Sequence, residues 1–331
     1  MRFNLKEEIT DISVLVKNYF VRDGYVFSAW RDNPKVFDVL VVKQPCDAVG
    51  NTRYYPDSTH SLQEHIRLIN EEKIERALII AEDISFVAQC PSLKMFSVFP
   101  AISADFDFDY SPLYGIPEIK SLSCQTIYGE KEEKVCSVDY SKISGLTELS
   151  VYGKGHLNYD AVDTLEKLWA SNIKQCEDLY QITRSGELKD LTVLQCGIKS
   201  LNGIEQYTKL QSLDLSYNRA LSDISMLEKI SGSLRLLNIY SCAKITDFSC
   251  LSSLSNLEHL SLYGSNKLPD LKFLKEMPKL KTFTFSMEVA DGDLTPCLKI
   301  PYVSCSKNRK WYTLKDRDLP KNKPTKPFEI I

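Results

Sequence analysis

Apolar residues recur along the middle of this chain in a fixed frame, Leu-x-x-Leu-x-Leu-x-x-Asn/Cys. It is met by Leu188, Leu191, Val193 and Cys196, by Leu210, Leu213, Leu215 and Asn218, and by Leu234, Leu237, Ile239 and Cys242. It continues through Leu257, Leu260 and Leu262, through Leu280, Phe283 and Phe285, and through Ile300, Val303, Cys305 and Asn308. Within each frame the apolar positions alternate with others, which is the period of a strand with one buried face. A unit of some two dozen residues cannot bury that face alone, so neighbours must stack into a continuous core. Weaker frames start at Ile74, Leu93, Ile119, Leu146 and Leu168, which brings the expected strands to about eleven. At ~4.8 Å between adjacent strands, such a sheet is roughly 50 Å long.

After several strands comes a second signal: Asp83-Ile84-Ser85, Asp223-Ile224-Ser225 and Asp247-Phe248-Ser249, each leading into a short apolar stretch. Asp or Ser there caps one helical turn, and the repeat length leaves room for a short 3-10 or α turn rather than a long helix. The segments from Leu221 to Ile230, Ile245 to Leu254 and Ala81 to Cys90 resemble the Ile-x-Asp-Ile-Ser-x-Leu signature of one leucine-rich repeat class, seen in phosphatase regulatory subunits and bacterial internalins. The resemblance implies an α/β solenoid with a curved parallel sheet on the concave side and short 3-10 or α turns on the convex side. It also implies protein binding as the activity. Internalins are exported, whereas Met1 to Phe20 carries Lys6, Glu7, Glu8, Asp11 and Lys17 and lacks the apolar core of a signal peptide. Cytosolic immunity and regulatory proteins of the class are the closer analogy.

Residues 1–70 fall outside the frame. Gly24 to Trp30 and Val36 to Val42 read as two strands, and Ser61 to Asn70 as a capped helix. A solenoid end must be covered, so 1–70 is expected to be an N-terminal α/β cap, 71–310 the solenoid, and 311–331 a C-terminal cap with a Pro/Lys-rich tail. Trp311 to Leu319 is expected to close the last strand, with an extended or mobile tail from Pro320 to Pro327.

Residues two, four and six places after the first Leu point away from the core. The middle column reads Leu78, Ser97, Ser123, Ser150, Asn172, Thr192, Asp214, Asn238, Ser261, Thr284 and Ser304; the next holds Phe99, Tyr152, Tyr240 and Tyr263 beside Ile80 and Leu194. Charged residues in the three columns are Arg76, Glu148, Lys174, Asp190 and Asp214. Ser and Asn adapt to a partner's polar groups while Tyr gives large contact area at low entropy cost, a mixture shared with antibody paratopes. Strand propensity alone also favours Tyr and Thr. The expected contact residues are Phe99, Tyr152, Asp214, Asn238, Tyr240, His259, Ser261 and Tyr263.

Net charge is -3 with a pI near 5.9, which gives no whole-chain footprint for nucleic acid. Ten cysteines would suggest disulfides in a short secreted chain, but Cys196 and Cys242 occupy the Asn/Cys rung, Cys176 is read likewise, and Cys124 and Cys305 hold inward positions. Reduced core thiols and a cytoplasmic location are therefore expected. Asp105, Asp107 and Asp109 open like a calcium loop, yet Tyr110 stands where Gly is needed and Ile116 where Glu is needed, so a strand with an acidic face is expected. Cys176-Glu177-Asp178 resembles the Cys-x-Asp of bacterial ubiquitin ligases, which carry it in a separate domain rather than inside the ladder. The four histidines show no zinc-ligand spacing. Lys307 to Lys326 holds eight basic residues and is read as solvated surface, with docking to an acidic partner as the alternative.

These observations point to a non-enzymatic, monomeric, cytoplasmic module that binds a protein partner on its concave face, with no cofactor, nucleic acid or membrane, as an immunity or regulatory protein. The alternative is an enzyme with its active site in residues 1–70, using Cys46, His60 or His65.

Overall fold

A computed structural model describes residues 19–29, 36–44, 55–101, 107–128 and 134–322. The chain divides into two compact units, Met1–Tyr159 and Asp160–Ile331. In the first unit, β1 (Tyr19–Arg22) and β2 (Tyr25–Ser28) form an antiparallel hairpin. Its two-residue turn places Asp23 and Gly24 at φ of 49° and 82°, the left-handed conformation that matches the twist of a hairpin. β3 (Val39–Lys43) runs antiparallel to β2 and parallel to β4 (Arg76–Ala81), joining the terminal hairpin to the repeat sheet. β5 (Met95–Pro100), β6 (Ser121–Cys124) and β7 (Glu148–Tyr152) follow in parallel, with Leu78, Ser97, Ser123 and Ser150 side by side.

Helix α1 (Leu62–Glu72) lies between β3 and β4 in sequence. Ser61 is its N-cap, with a reciprocal box: the Glu64 N–H donates to Ser61 Oγ at 3.3 Å and the Ser61 N–H donates to the Glu64 carboxylate at 2.8 Å. The Ser61 N–H, and after it the Ser61 hydroxyl, donate to the Glu64 carboxylate and hold its carboxyl down to about 2. Lys73, left-handed at φ 52°, ends the helix, while His65, Ile66, Leu68 and Ile69 form its buried stripe.

The second unit is the clear ladder. β8 (Lys167–Ser171), β9 (Asp190–Leu194), β10 (Ser212–Ser216), β11 (Leu236–Tyr240), β12 (His259–Tyr263), β13 (Thr282–Phe285) and β14 (Tyr302–Cys305) pair in parallel. Their register aligns Leu168, Leu191, Leu213, Leu237, Leu260, Phe283 and Val303. All of these are buried, and the core they line is closed on its far side by 3-10 turns that contribute Leu227, Leu251 and Cys297.

The turns begin as expected. Asp83, Asp223 and Asp247 each accept the N–H of the Ser two residues on, at 2.9, 2.9 and 2.8 Å. Asp139, Asp270 and Asp293 repeat the contact with Ser141, Lys272 and Thr295. The rung residues bridge coils: Asn218 accepts the Cys196 N–H at 2.9 Å and donates to the Val193 carbonyl at 2.7 Å. Asn266 donates to the Cys242 and Ile245 carbonyls. The Cys242 thiol donates to the Leu215 carbonyl. Every described cysteine is free and buried.

Three expectations need correction. The weak frame begins at Leu165, not Leu168, because Leu168 pairs with Leu191 and Ala170 with Val193. Lys167 and Trp169 therefore share the outward positions of Asp190 and Thr192, and Asn172 and Lys174 do not. The position seven after each true frame start confirms the shift: Asn172, Gln195, Tyr217, Ser241 and Gly264 all have positive φ. Alanine in the third apolar place hid the frame. Second, residues 107–110 form no strand; Phe108 and Tyr110 are buried, and Asp109 caps the 3-10 turn at Ser111–Gly115, while Asp105 lies outside the described residues. Third, Asn308 is exposed and accepts the Asp316 N–H at 2.8 Å instead of forming a rung, because the chain doubles back after β14. Asp316 accepts the Cys305 N–H and Pro320 accepts the Val303 N–H, so the last strand is covered partly by Pro320 to Asn322.

Candidate partner-binding face

Outward positions of the second unit's sheet form rows set by the register. Trp169, Thr192, Asp214, Asn238, Ser261, Thr284 and Ser304 make one row. Its polar groups are knitted together: Asn238 donates to Asp214 at 3.3 Å, the Ser216 hydroxyl donates to the same carboxylate, and Thr284 donates to Ser261 at 3.0 Å. The next row places Ser216, Tyr240 and Tyr263 side by side. The Tyr240 and Tyr263 rings stack at 5.8 Å, and Tyr217 adds a third ring 5.0 Å from Tyr240. Tyr217 and Tyr240 are each 40% exposed, so this aromatic surface is not spent on the core.

Tyr217 was missed by strand alternation because it lies one residue beyond the strand. The signal available was its place just before rung Asn218, where the backbone turns left-handed at φ 55° and projects the side chain outward. The equivalent positions on the next two coils are Ser241 and Gly264, while Ser286 and Ser306, just past β13 and β14, continue the row of Tyr240 and Tyr263. Beside the tyrosines these small residues leave a recess of about 450 Å³, bounded by Tyr240, Tyr263 and Lys307.

His259 starts β12 between Leu236 and Thr282, half-buried, and burial lowers its pKa. It borders the polar row, not the recess. Glu258, just before it, pairs with Arg235 at 2.8 Å and with Lys281, whose ammonium is the larger influence holding the carboxyl down.

Two expected contact residues belong to the first unit. Phe99 packs with Tyr19, Tyr55 and Leu78 on a buried cluster of Val26, Val41, Ile80 and Ala101, so much of its surface serves the fold. Tyr152 is 41% exposed, and its N–H donates to His156 Nε2 at 3.0 Å.

Both histidines of residues 1–70 are held by backbone carbonyls, with the buried Nε2 of His65 left without a partner. His60 Nε2 donates to the Asp23 carbonyl at 2.7 Å, and its ring stacks on Tyr25 at 3.8 Å. His65 Nδ1 donates to the Ser61 carbonyl at 2.8 Å, and burial lowers its pKa. Cys46 lies outside the described residues. Cys176 is buried, its thiol donating to the Ile173 carbonyl at 3.1 Å, and presents no nucleophile to solvent. Among the described residues no group of His, Cys, Asp and Glu is placed to hold a metal ion, and no helix is long and apolar enough to cross a membrane.

No family model matches the chain. Among solved structures it is similar to an internalin (inlF) from Listeria monocytogenes, at 19% identity over 72% of this chain and 70% of that one, with a TM-score of 0.51. It is also similar to an internalin C2 (inlC2) from the same organism, at 22% identity over 52% of this chain and 74% of that one, with a TM-score of 0.41. The parallel ladder, its 3-10 turns and the first of these likenesses agree: the chain folds as a leucine-rich repeat solenoid.

Proposed function

We propose that this chain is a non-enzymatic protein-interaction module whose partner docks on the outward face of the repeat sheet. The observation that carries the reading is the cluster of exposed Tyr217 and Tyr240 with half-buried Tyr263, beside a hydrogen-bonded row of Asp214, Asn238, Ser261 and Thr284. Large rigid aromatics dominate measured binding energies, and a preorganised row of short polar groups costs little further ordering. Stacked strands have met that cost during folding. Within this reading the chain acts in the cytoplasm as a monomer, as an immunity or regulatory protein that occludes a partner's working surface. A protein partner is favoured over nucleic acid because lysine and arginine are sparse on this face. Residues 1–70 serve as the cap of the array, 71–310 as the solenoid, and 311–331 as the closing segment and tail.

The test is capture of the partner from the source cell by the full chain, compared with a Tyr240→Ala/Tyr263→Ala double variant. Affinity is expected to fall by roughly a hundredfold or more, since losing each such anchor costs about tenfold, with the thermal midpoint unchanged. Undiminished capture by a folded double variant removes this face from consideration.

A further inference from the structure

The recess beside the tyrosines contains one charged residue, Lys307; its other lining groups are Tyr240, Ser241, Ala243, Tyr263, Gly264, Ser265, Ser286 and Ser306. Lys307 is exposed, and among the described residues it forms no ion pair. Asp214 of the polar row is already engaged by Ser216 and Asn238, Asp316 by Lys321 and the Cys305 N–H, and Glu288 by Lys267 and Arg309. An uncompensated ammonium thus stands at one end of an aromatic-walled slot otherwise lined by small residues from four successive coils.

We propose that this slot receives an extended segment of the partner protein, with an aromatic or aliphatic side chain against Tyr240 and Tyr263 and a carboxylate side chain at the Lys307 ammonium. The inference rests on the face being a protein-binding surface and adds the chemistry of what enters it. Extension follows from dimensions: successive coils are ~4.8 Å apart, so four coils span about four residues of extended chain. Gly264, at φ 149°, holds a conformation that side-chain-bearing residues rarely adopt, which keeps the floor low at the middle of the slot. The hydroxyls of Ser241, Ser286 and Ser306 supply donors and acceptors for passing peptide groups. A carboxylate is favoured over a phosphate because the backbone donors that would cradle a dianion are spent. The Ser241 N–H bonds the Tyr263 carbonyl at 2.8 Å, and the Gly264 N–H bonds Ser286 Oγ at 3.2 Å. No guanidinium lines the recess to offer a bidentate fork.

A library of random twelve-residue peptides displayed on phage, selected on the full chain, tests this. Selected sequences are expected to carry Asp or Glu a few positions from Tyr, Phe or Leu. Their affinity is expected to fall about tenfold with Lys307→Met and by a similar factor with Tyr263→Ala. A second selection on Lys307→Glu is expected to replace the acidic preference with Lys or Arg. Lys307 is exposed, so an unchanged thermal midpoint separates lost recognition from lost fold. The inference is overturned if no peptide is selected, if the Lys307→Glu selection returns the same acidic motif, or if exchange of the acid for its amide leaves affinity unchanged. Tighter binding by about tenfold when phosphoserine replaces the acid would also overturn it, in favour of a phosphate site. Peptides lost with Tyr240→Ala/Tyr263→Ala but indifferent to Lys307 would leave the protein-binding face standing and remove only the acidic occupant.

Discussion

Asn218 shows how much one residue contributes to this fold. Its side chain satisfies two buried backbone groups of the neighbouring coil, the Cys196 N–H and the Val193 carbonyl. Asn218→Ala leaves both without that partner, and a loss of about 3 kcal/mol is expected from the desolvation cost of unpaired groups, to be read from urea unfolding. His156 is the second instructive residue. It is buried, with Nε2 accepting the Tyr152 N–H and Nδ1 2.8 Å from the Tyr140 hydroxyl, and burial lowers its pKa from 6.5 to about 4. Because the folded value lies below the unfolded one, the unfolded chain takes up the proton first as pH falls. Stability present above pH 6.5 is therefore lost between 6.5 and about 4, by up to ~3 kcal/mol, and levels off below that. His156→Gln is expected to remove this component of the pH profile and leave the steeper carboxylate loss at lower pH. The role of His156 was not legible beforehand, since it showed only as an isolated histidine, whereas Asn218 was legible as a rung because its spacing from Leu215 fits the frame.

Among elements, strands whose apolar places hold Leu, Ile, Val or Phe were readable, because alternation is visible wherever both inward residues are large. β8 was displaced by three residues because Ala170 fills an inward place on a coil otherwise marked only by Leu165 and Leu168. Helix α1 was placed to within two residues by its Ser61 cap, whose chemistry is local and does not wait on tertiary packing. Ser61→Ala is expected to cost about 1 kcal/mol by removing the cap acceptor, with the loss measured by thermal unfolding of the full chain. Of the candidate site, Tyr240, Tyr263, Asp214, Asn238 and Ser261 follow from the period of two and sit together in register. Tyr217 and the recess toward Lys307 do not follow from it, because left-handed turns after the strands decide what stands there.

For the molecule as a whole, the cysteines offer a direct check. All described thiols are buried, and burial pushes those of Cys90, Cys136 and Cys242 up to about 11. Cys176 is the exception, drawn down to about 7 by its hydrogen bond with Cys196, but it is as buried as the rest; burial keeps the reagent out, so, Cys46 apart, none is expected to react with Ellman's reagent until denaturant is added. Fast modification of several thiols in the native chain would contradict the packing described. The in-register parallel pairing of the second unit has a mechanical consequence. Each strand's partner lies only some two dozen residues away, as Leu191 lies from Leu213 and Leu213 from Leu237. Pulled from its C-terminal end, such an array has no long-range clasp to hold it shut, and its energy is close to a sum over neighbours. Force applied there is expected to peel coils one after another, each releasing ~80 Å of contour at about 3.5 Å per residue, so a force-extension trace would show a staircase instead of a single rip.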